Sequence, residues 1–292
     1  MGDGTLWQTS LRTVCAAFRV WRSAPAAIVS RLWRKIVPLP ESRPSGPFAD
    51  HFSSQAQGYA KFRPRYPSVL FHYLAVRAPS TALAWDCGTG NGQAAVGLAE
   101  RFARVVATDP SEAQISRAIA HPRVEYRVAR YDSGLPPGTA QLVTVAQALH
   151  WMDADALVAE ARRVLQPGGL LAVWCYSLCR IERSIDELVE FFYRVTVGSF
   201  WPPERRLVDD GYRSIALPID ELDVPPLDLV AEMTLPQFLG YVETWSAVQR
   251  CLAVRGRDTL DSFARSIAER WEAPSISRRV TFPLHVRAGE LR

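Results

Sequence analysis

Lysine is almost absent from this chain of 292 residues. Only Lys35 and Lys61 are present, so arginine supplies nearly all of the 34 basic side chains. The formal net charge is +4, and after residue 45 charges of both signs are interspersed. A nucleic-acid-binding domain instead concentrates Lys and Arg on one element of its surface. The charge pattern therefore argues against nucleic acid as a partner.

Cysteine is also scarce, and its spacing is not that of a stabilising framework. The five cysteines are an odd number without repeated short spacings, which argues against disulfides and zinc knuckles. Cys175 and Cys179 lie close together, but no second pair completes four metal ligands. We therefore expect a reducing, cytoplasmic compartment and no metal.

Long apolar runs are missing as well. No segment has 18 predominantly apolar residues without a break, so no membrane span is expected. The hydrophobic content of 48% still allows the chain to bury the core of one α/β domain of about 250 residues.

Residues 1–46 differ in composition from the rest, with seven basic residues against two acids. After Pro25, apolar residues recur at helical spacing opposite basic ones, which predicts a short basic amphipathic helix, and Pro38–Pro47 reads as a linker. We expect residues 1–46 to be a flexible basic leader and linker, and 47–292 to be one domain. An organellar transit segment or a membrane-surface helix is the alternative to a dispensable leader.

From Phe48 onward strand and helix patterns alternate, which predicts an α/β fold with a parallel sheet covered by helices on both faces. The predicted strands are Ala82–Cys87, Arg104–Thr108, Val124–Val128, Gln141–Ala146 and Leu170–Tyr176. The predicted helices are Asn91–Phe102, Ser111 to about Ala120, Asp153–Leu165 (closed by Pro167, Gly168 and Gly169), Ile185–Val195 and Pro236–Leu252. Residues 201–212 are predicted to be loop-rich, and Val230–Leu235 with Val280–Val286 an antiparallel pair at the sheet edge.

Residues 86–92 are an acid, Asp86, followed by glycines at positions 88, 90 and 92, directly after the first predicted strand. Glycine allows a sharp turn and lets a ligand approach the main chain without an intervening Cβ. A carboxylate at this place suits a ligand with cationic groups rather than phosphates. A dinucleotide fingerprint would have a further glycine at position 93, which is Gln93 here.

Asp109 follows Gly88 by 21 residues, at the end of the second predicted strand. An acid in that position can bind both ribose hydroxyls of an adenosine. The glycine turn and Asp109 together predict an adenosine-containing ligand.

Three segments and Asp109 together resemble the successive motifs of class I S-adenosylmethionine-dependent methyltransferases. They are residues 86–92 with Asp109, residues 147–151 (Gln-Ala-Leu-His-Trp) and residues 163–169 (Arg-Val-Leu-Gln-Pro-Gly-Gly). Residues 59–67 and 283–289 resemble the type 11 subgroup, which contains ubiquinone-biosynthesis-like and trans-aconitate methyltransferase-like enzymes. The resemblance covers residues 48–292.

The resemblance implies a Rossmann-like, seven-stranded, mostly parallel sheet of order 3-2-1-4-5-7-6 with the last strand antiparallel, and S-adenosylmethionine as cofactor. It implies that Gly88 and Gly90 line the methionine part and that Asp109 binds the ribose. Asp132 falls near the adenine, although Arg130 and Tyr131 depart there from the family pattern. A further departure is Gln141, where the family usually has aspartate. The remaining cofactor candidates are Asp86, Gln147, Tyr59 and Arg63.

The carboxyl ends of the parallel strands are expected to bracket the reaction site, where His150 follows the fourth strand. His150 is the candidate base for a hydroxyl acceptor, although it and Trp151 alternatively only shape the cofactor wall. Arg63 is the candidate clamp for a carboxylate, with Arg65 and the pair Arg205–Arg206 as further candidates. Residues 179–230, rich in aromatics, are expected to form an inserted substrate cover.

The sequence therefore predicts methyl transfer to a small-molecule acceptor, for which a carboxylic acid needs no base. Two alternatives remain: a non-catalytic protein that binds an adenosine ligand, and a nicotinamide-dependent oxidoreductase, which Gln93 disfavours.

Overall fold

A computed structural model describes residues 64–292. The predictions for residues 1–46, Tyr59 and Arg63 lie outside this range. The helices are α1 Ser68–Arg77, α2 Gln93–Ala99, α3 Glu112–Ile115, α4 Ala154–Val164, α5 Arg183–Phe191, α6 Arg205–Asp209, α7 Leu235–Glu243, α8 Ser246–Arg255 and α9 Asp258–Ala268. The strands are β1 Leu83–Cys87, β2 Arg104–Asp109, β3 Val124–Val128, β4 Ala140–Ala146, β5 Leu165–Tyr176, β6 Ile219–Glu221, β7 Leu227–Met233 and β8 Arg278–Leu291.

The strands form one mixed sheet of order β3-β2-β1-β4-β5-β8-β6, with β7 also paired to β8. Strands β1 to β5 are parallel, and β8 runs antiparallel to β5, as predicted. The sheet has eight strands rather than the predicted seven. The reason is the length of β8: its outer edge pairs with β6 near Leu291 and with β7 from Arg278 to Leu284. Two short strands thus share the place expected for one.

Successive strand residues point to opposite sides of the sheet, and helices cover both sides. Both faces of the sheet are therefore buried. One face, which includes Ala84 and Trp174, packs against α1 and α2. The other, which includes Trp85 and Val173, packs against α4. This arrangement confirms the Rossmann-like fold with helices on both faces.

Two helix predictions are wrong in extent. The helix predicted over Pro236–Leu252 is broken into α7 and α8 at Trp245, whose extended backbone lets its indole pack edge-on against Tyr241. The helix that begins after Ser111 ends at Ile115 instead of about Ala120, because the chain turns back and the Ile119 N–H donates to the Asn91 carbonyl.

Two loop predictions also need correction. Strand β5 begins at Leu165, so Pro167 to Gly169 lie inside it, at an irregular register next to β4. Gly168 has a φ of +75°, which accommodates this irregularity. The loop-rich segment 201–212 contains the short helix α6, Arg205–Asp209.

Helices also pack at the carboxyl end of the sheet. They come from two connections, one between β5 and β6 (α5 and α6) and one between β7 and β8 (α7 to α9). Aromatic contacts join the two: Phe192 stacks on Phe263 at 4.1 Å, and Trp201 lies 5.9 Å from Trp245. The described helices are all too short or too polar to cross a membrane.

Candidate functional site

The turn after β1 folds over the end of β2. The backbone N–H groups of Gly88 and Thr89 both donate to the Thr108 carbonyl, at 2.8 and 3.0 Å. Gly88, Gly90 and Gly92 all have positive φ, at +71°, +56° and +87°. At Gly88 a Cβ would also collide with Met152, and at Gly92 with Tyr126. Glycine is therefore required at these two positions by both conformation and space.

Asp109 is the last residue of β2, and its carboxylate is hydrogen-bonded to the glycine turn. Its Oδ2 accepts from the Gly90 N–H at 2.8 Å, and its Oδ1 accepts from the Ser111 N–H at 2.9 Å. The two amides fix the carboxylate beside the turn, where the sequence predicted it.

Asp86 is fully buried at the end of β1. Thr144 on β4 is its register partner and donates a hydrogen bond to Oδ1 at 2.7 Å, and the Thr89 hydroxyl and the Ala95 N–H also lie against the carboxylate. Burial raises the pKa of Asp86 to about 6, with a smaller contribution from the neighbouring charge of Asp109. A fully buried carboxylate with a raised pKa beside a glycine turn is a functional candidate.

The loop after β3 passes beside this turn. The Cys87 thiol lies 3.5 Å from the Arg130 carbonyl oxygen, and the Tyr131 hydroxyl accepts from the Asp153 N–H. Asp132 is exposed and accepts a hydrogen bond from the Gly134 N–H at 2.9 Å. The loop is thus near the turn, while the carboxylate of Asp132 stabilises its own bend.

Gln147 joins the ends of β4 and β5. Its φ is +55°, its N–H donates to the Trp174 carbonyl, and its side-chain oxygen accepts from the Tyr176 N–H at 2.8 Å. A non-glycine residue in this conformation is uncommon and clusters at functional sites. Gln141 lies at the opposite end of β4, where its side-chain oxygen accepts a hydrogen bond from the Leu83 N–H of β1. The residue that replaces the family's aspartate therefore links two neighbouring strands.

His150 lies in a single 3-10 turn, Leu149–Trp151, just beyond β4. Its Nδ1 is 2.8 Å from the hydroxyl of Tyr212, and its ring lies 4.7 Å from that of Trp151. Tyr212 comes from the connection between β5 and β6 and is completely buried. The sequence carried no indication of this pair.

Arg205 begins α6, which packs against the 3-10 turn of His150. Its Nε donates to the Tyr193 hydroxyl at 2.6 Å and lies 3.5 Å from Asp209 Oδ1, and its guanidinium lies 4.8 Å from the centre of the Trp201 ring. Burial lowers the pKa of Arg205, but Tyr193 and Asp209 outweigh it and raise the net pKa. The side chain is therefore a permanent, mostly buried cation.

The other predicted clamps are placed differently. Arg206 and Arg65 are exposed. Cys175 and Cys179 are buried, and burial raises the pKa of both to about 12, so neither thiol is a nucleophile at neutral pH.

Comparison with known proteins agrees with this geometry. The family described as a methyltransferase domain matches residues 85–173. A Dictyostelium discoideum protein that carries a methyltransferase name is 31% identical over 247 residues, which are 82% of this chain and 94% of that protein. Methyltransferase cfoB of Aspergillus candidus is 30% identical over 59% of this chain and 62% of its own length.

The fold has a solved relative as well. A structure described as a type II methyltransferase from Anaeromyxobacter dehalogenans is 45% identical, with a TM-score of 0.75, and the match covers 78% of this chain and 98% of that one. Fold, turn and relatives together define a class I methyltransferase, the class that uses S-adenosylmethionine. The chain belongs to the methyltransferase-domain family matched by residues 85–173. The type 11 subgroup with its named relatives stays a prediction.

The residues around the turn fit that cofactor. Two carboxylates, Asp86 and Asp109, lie so close that the charge of Asp109 raises the pKa of Asp86, and such a pair suits a cationic sulfonium and ammonium and opposes a pyrophosphate. A Cβ at Gly90 would meet nothing within 4 Å, so there is open space beside the turn. When ionised, the buried carboxylate of Asp86 adds negative potential beside this space.

Proposed function

We propose that this protein transfers the methyl group of S-adenosylmethionine to a small carboxylic acid, and that Arg205 binds the carboxylate of the acceptor. The observation that carries the proposal is a mostly buried, permanently charged guanidinium on the helix that packs against the His150 turn. The identity of the methyl donor follows from membership of the methyltransferase family. The class of methyl acceptor is inferred from Arg205.

On the donor side, we assign the methionine part to Gly88 and Gly90 and the ribose to Asp109. Asp86 is sealed beneath the turn, so its proposed contribution is electrostatic. Gln147 contributes by fixing the relative positions of two strand ends, and Asp132 remains the proposed residue nearest the adenine. Tyr59 and Arg63 remain proposed cofactor residues in the segment before Pro64.

When bound, S-adenosylmethionine supplies a methyl group on a positively charged sulfur, which leaves as a neutral thioether when the acceptor oxygen forms the new bond to carbon. The protein then has to position the acceptor rather than activate it. An ionised carboxylate already carries the attacking electron pair, so no proton has to be removed.

Arg205 is suited to that positioning. Within residues 64–292 its hydrogen bond to Tyr193 and its shortest contact with Asp209 both involve Nε, and its two terminal nitrogens make no hydrogen bond to a described residue. Those nitrogens are the donors that a carboxylate engages in pairs. The ring of Trp201 beneath the guanidinium restricts its orientation without consuming these donors.

The donor assignment is tested by thermal unfolding of the purified chain with S-adenosylmethionine, S-adenosylhomocysteine or NAD. A ligand that binds only the folded state at about a hundred times its Kd stabilises it by about 2.7 kcal/mol, which raises the Tm by about 5–10 °C. We expect such a shift with the two sulfur nucleosides and none with NAD. A shift with NAD alone would replace the proposal by a nicotinamide-dependent activity.

The acceptor assignment is tested by Arg205→Gln, after carboxylic acids and quinol-like compounds have been screened with labelled cofactor. Loss of a paired, charge-assisted contact should raise the KM for an acidic acceptor by about 30- to 100-fold. The affinity for S-adenosylhomocysteine should stay unchanged. The measurement is initial rate against acceptor concentration.

Arg206→Gln is the matched control, because it removes the same charge from the next residue, which is exposed. It should leave the KM within about twofold. Equal KM values for Arg205→Gln and the wild type, in protein of native circular dichroism, would remove Arg205 from the acceptor site.

A further inference from the structure

Tyr212 is held rigidly under the His150 turn. Its φ is +61°, its N–H donates to the Leu207 carbonyl at 2.8 Å, and its carbonyl accepts from Arg287 at 2.8 Å. The residue is entirely buried, so its ring cannot turn toward solvent. Only the hydroxyl hydrogen remains to be oriented.

The partners of that hydroxyl decide where the hydrogen lies. Among the described residues, the Tyr212 hydroxyl lies 2.8 Å from His150 Nδ1, and its oxygen also accepts a hydrogen bond from the His150 backbone N–H. Burial raises the pKa of Tyr212 well above its usual value, so the phenol keeps its proton. A buried hydroxyl that donates to nothing costs about 1–3 kcal/mol, and Nδ1 is the acceptor within reach.

A neutral imidazole carries one N–H, and an Nδ1 that accepts a hydrogen bond must be unprotonated. We propose that Tyr212 is a positioning residue that holds His150 in the tautomer protonated at Nε2, so that the ring edge opposite Tyr212 presents a hydrogen-bond donor. In this tautomer Nε2 is a hydrogen-bond donor, so it does not remove a proton from the acceptor.

The consequence for substrate class follows, and it rests on the proposed function. A carboxylate acceptor needs no base. A hydroxyl acceptor would need a base, which this tautomer does not supply at Nε2. The Tyr212–His150 pair and the Arg205 cation therefore favour the same kind of acceptor, an anionic oxygen.

The tautomer can be measured directly by NMR of the full chain labelled with ¹⁵N only in histidine, at a pH where the imidazole is neutral. His150→Gln assigns the signal among the five histidines. We expect two-bond couplings that identify Nε2 as the protonated nitrogen and Nδ1 as a hydrogen-bonded acceptor. In Tyr212→Phe, the Nδ1 resonance should move to the position of an acceptor without a hydrogen bond.

Tyr73→Phe is the control, because it removes a hydroxyl that binds the Asp223 carbonyl at 2.9 Å and should leave the His150 signals in place. A protonated Nδ1 in the wild type would overturn the proposal, and this measurement uses a variant, His150→Gln, only to assign the signal. An unmoved Nδ1 signal in folded Tyr212→Phe would overturn it as well.

Neither cofactor nor acceptor is present in this experiment, so its outcome is separate from that of the proposed function. If the Nε2 tautomer is found and S-adenosylmethionine does not bind, the pair stands and the methyl-transfer proposal fails. For the active enzyme, Tyr212→Phe should lower kcat by about tenfold with an acidic acceptor, because the donor is no longer oriented.

Discussion

Replacing Asp109 with asparagine should lower the affinity for S-adenosylhomocysteine by about 100-fold. The two oxygens of Asp109 accept from different backbone groups, the N–H of Gly90 and the N–H of Ser111. An amide has only one acceptor oxygen, so whichever way the substituted side chain is turned, its NH₂ group faces another donor. The turn loses one charge-assisted hydrogen bond, and the proposed ribose partner loses its charge.

Isothermal titration calorimetry measures this effect, with thermal unfolding of the ligand-free protein beside it. The free energy of unfolding should fall by about 1–3 kcal/mol, because one buried N–H is left facing a donor. Glu112→Gln is the control, since it makes the same chemical change at an exposed carboxylate three residues away and should change neither quantity. Wild-type affinity in the Asp109→Asn variant would show that the ribose is bound elsewhere.

Replacing Asp86 with asparagine should make the ligand-free protein more stable and the ligand weaker. Burial raises the pKa of Asp86 to about 6 in the folded state, above its ordinary value of 3.8. The group therefore stabilises the fold fully only below 3.8, and this stability is lost as the pH rises through 6. At pH 8 the ionised, buried carboxylate costs up to about 3 kcal/mol, which the neutral amide avoids.

The signature is the dependence on pH. Between pH 5 and pH 8, the advantage of Asp86→Asn in free energy of unfolding should widen by about 1–2 kcal/mol, because the folded wild type ionises Asp86 over this interval. At pH 8 the affinity for S-adenosylmethionine should fall about tenfold or more, since a negative charge beneath the cation is gone. Calorimetric unfolding of both proteins at several pH values tests the first part. Stabilities that stay parallel across the range would contradict it.

The sequence was sufficient for the parts of the fold that depend on local pattern. The glycine turn, Asp109 and the first five strands were predicted because turn chemistry and strand burial depend on adjacent residues. The antiparallel place of Val280–Val286 was predicted as well, and β8 confirms it.

The parts that were missed depend on contacts between distant residues. His150 and Tyr212 are 62 positions apart, and nothing near either residue indicates the other. Thr144 is a polar residue in an apolar strand, which is a weak indication that it has a buried polar partner. That partner, Asp86, lies on a neighbouring strand and cannot be identified from the residues around Thr144. The sequence offered Arg205 as one of several candidate arginines for binding a carboxylate, with nothing to prefer it. Only the tertiary packing shows that Arg205 is mostly buried whereas Arg206 is exposed. Trp245 breaks a helix because of what it packs against, which periodicity does not encode.

Strand β8 determines when the sheet can be completed during biosynthesis. It is the partner of β5, β6 and β7, yet the ribosome makes Arg278–Leu291 after all seven other strands. Until these residues emerge, the nascent sheet keeps the backbone groups of β5 exposed along one side, open to pairing with other chains. Completion of the sheet is therefore a late event that joins segments far apart in sequence, a topology that folds slowly and benefits from chaperones.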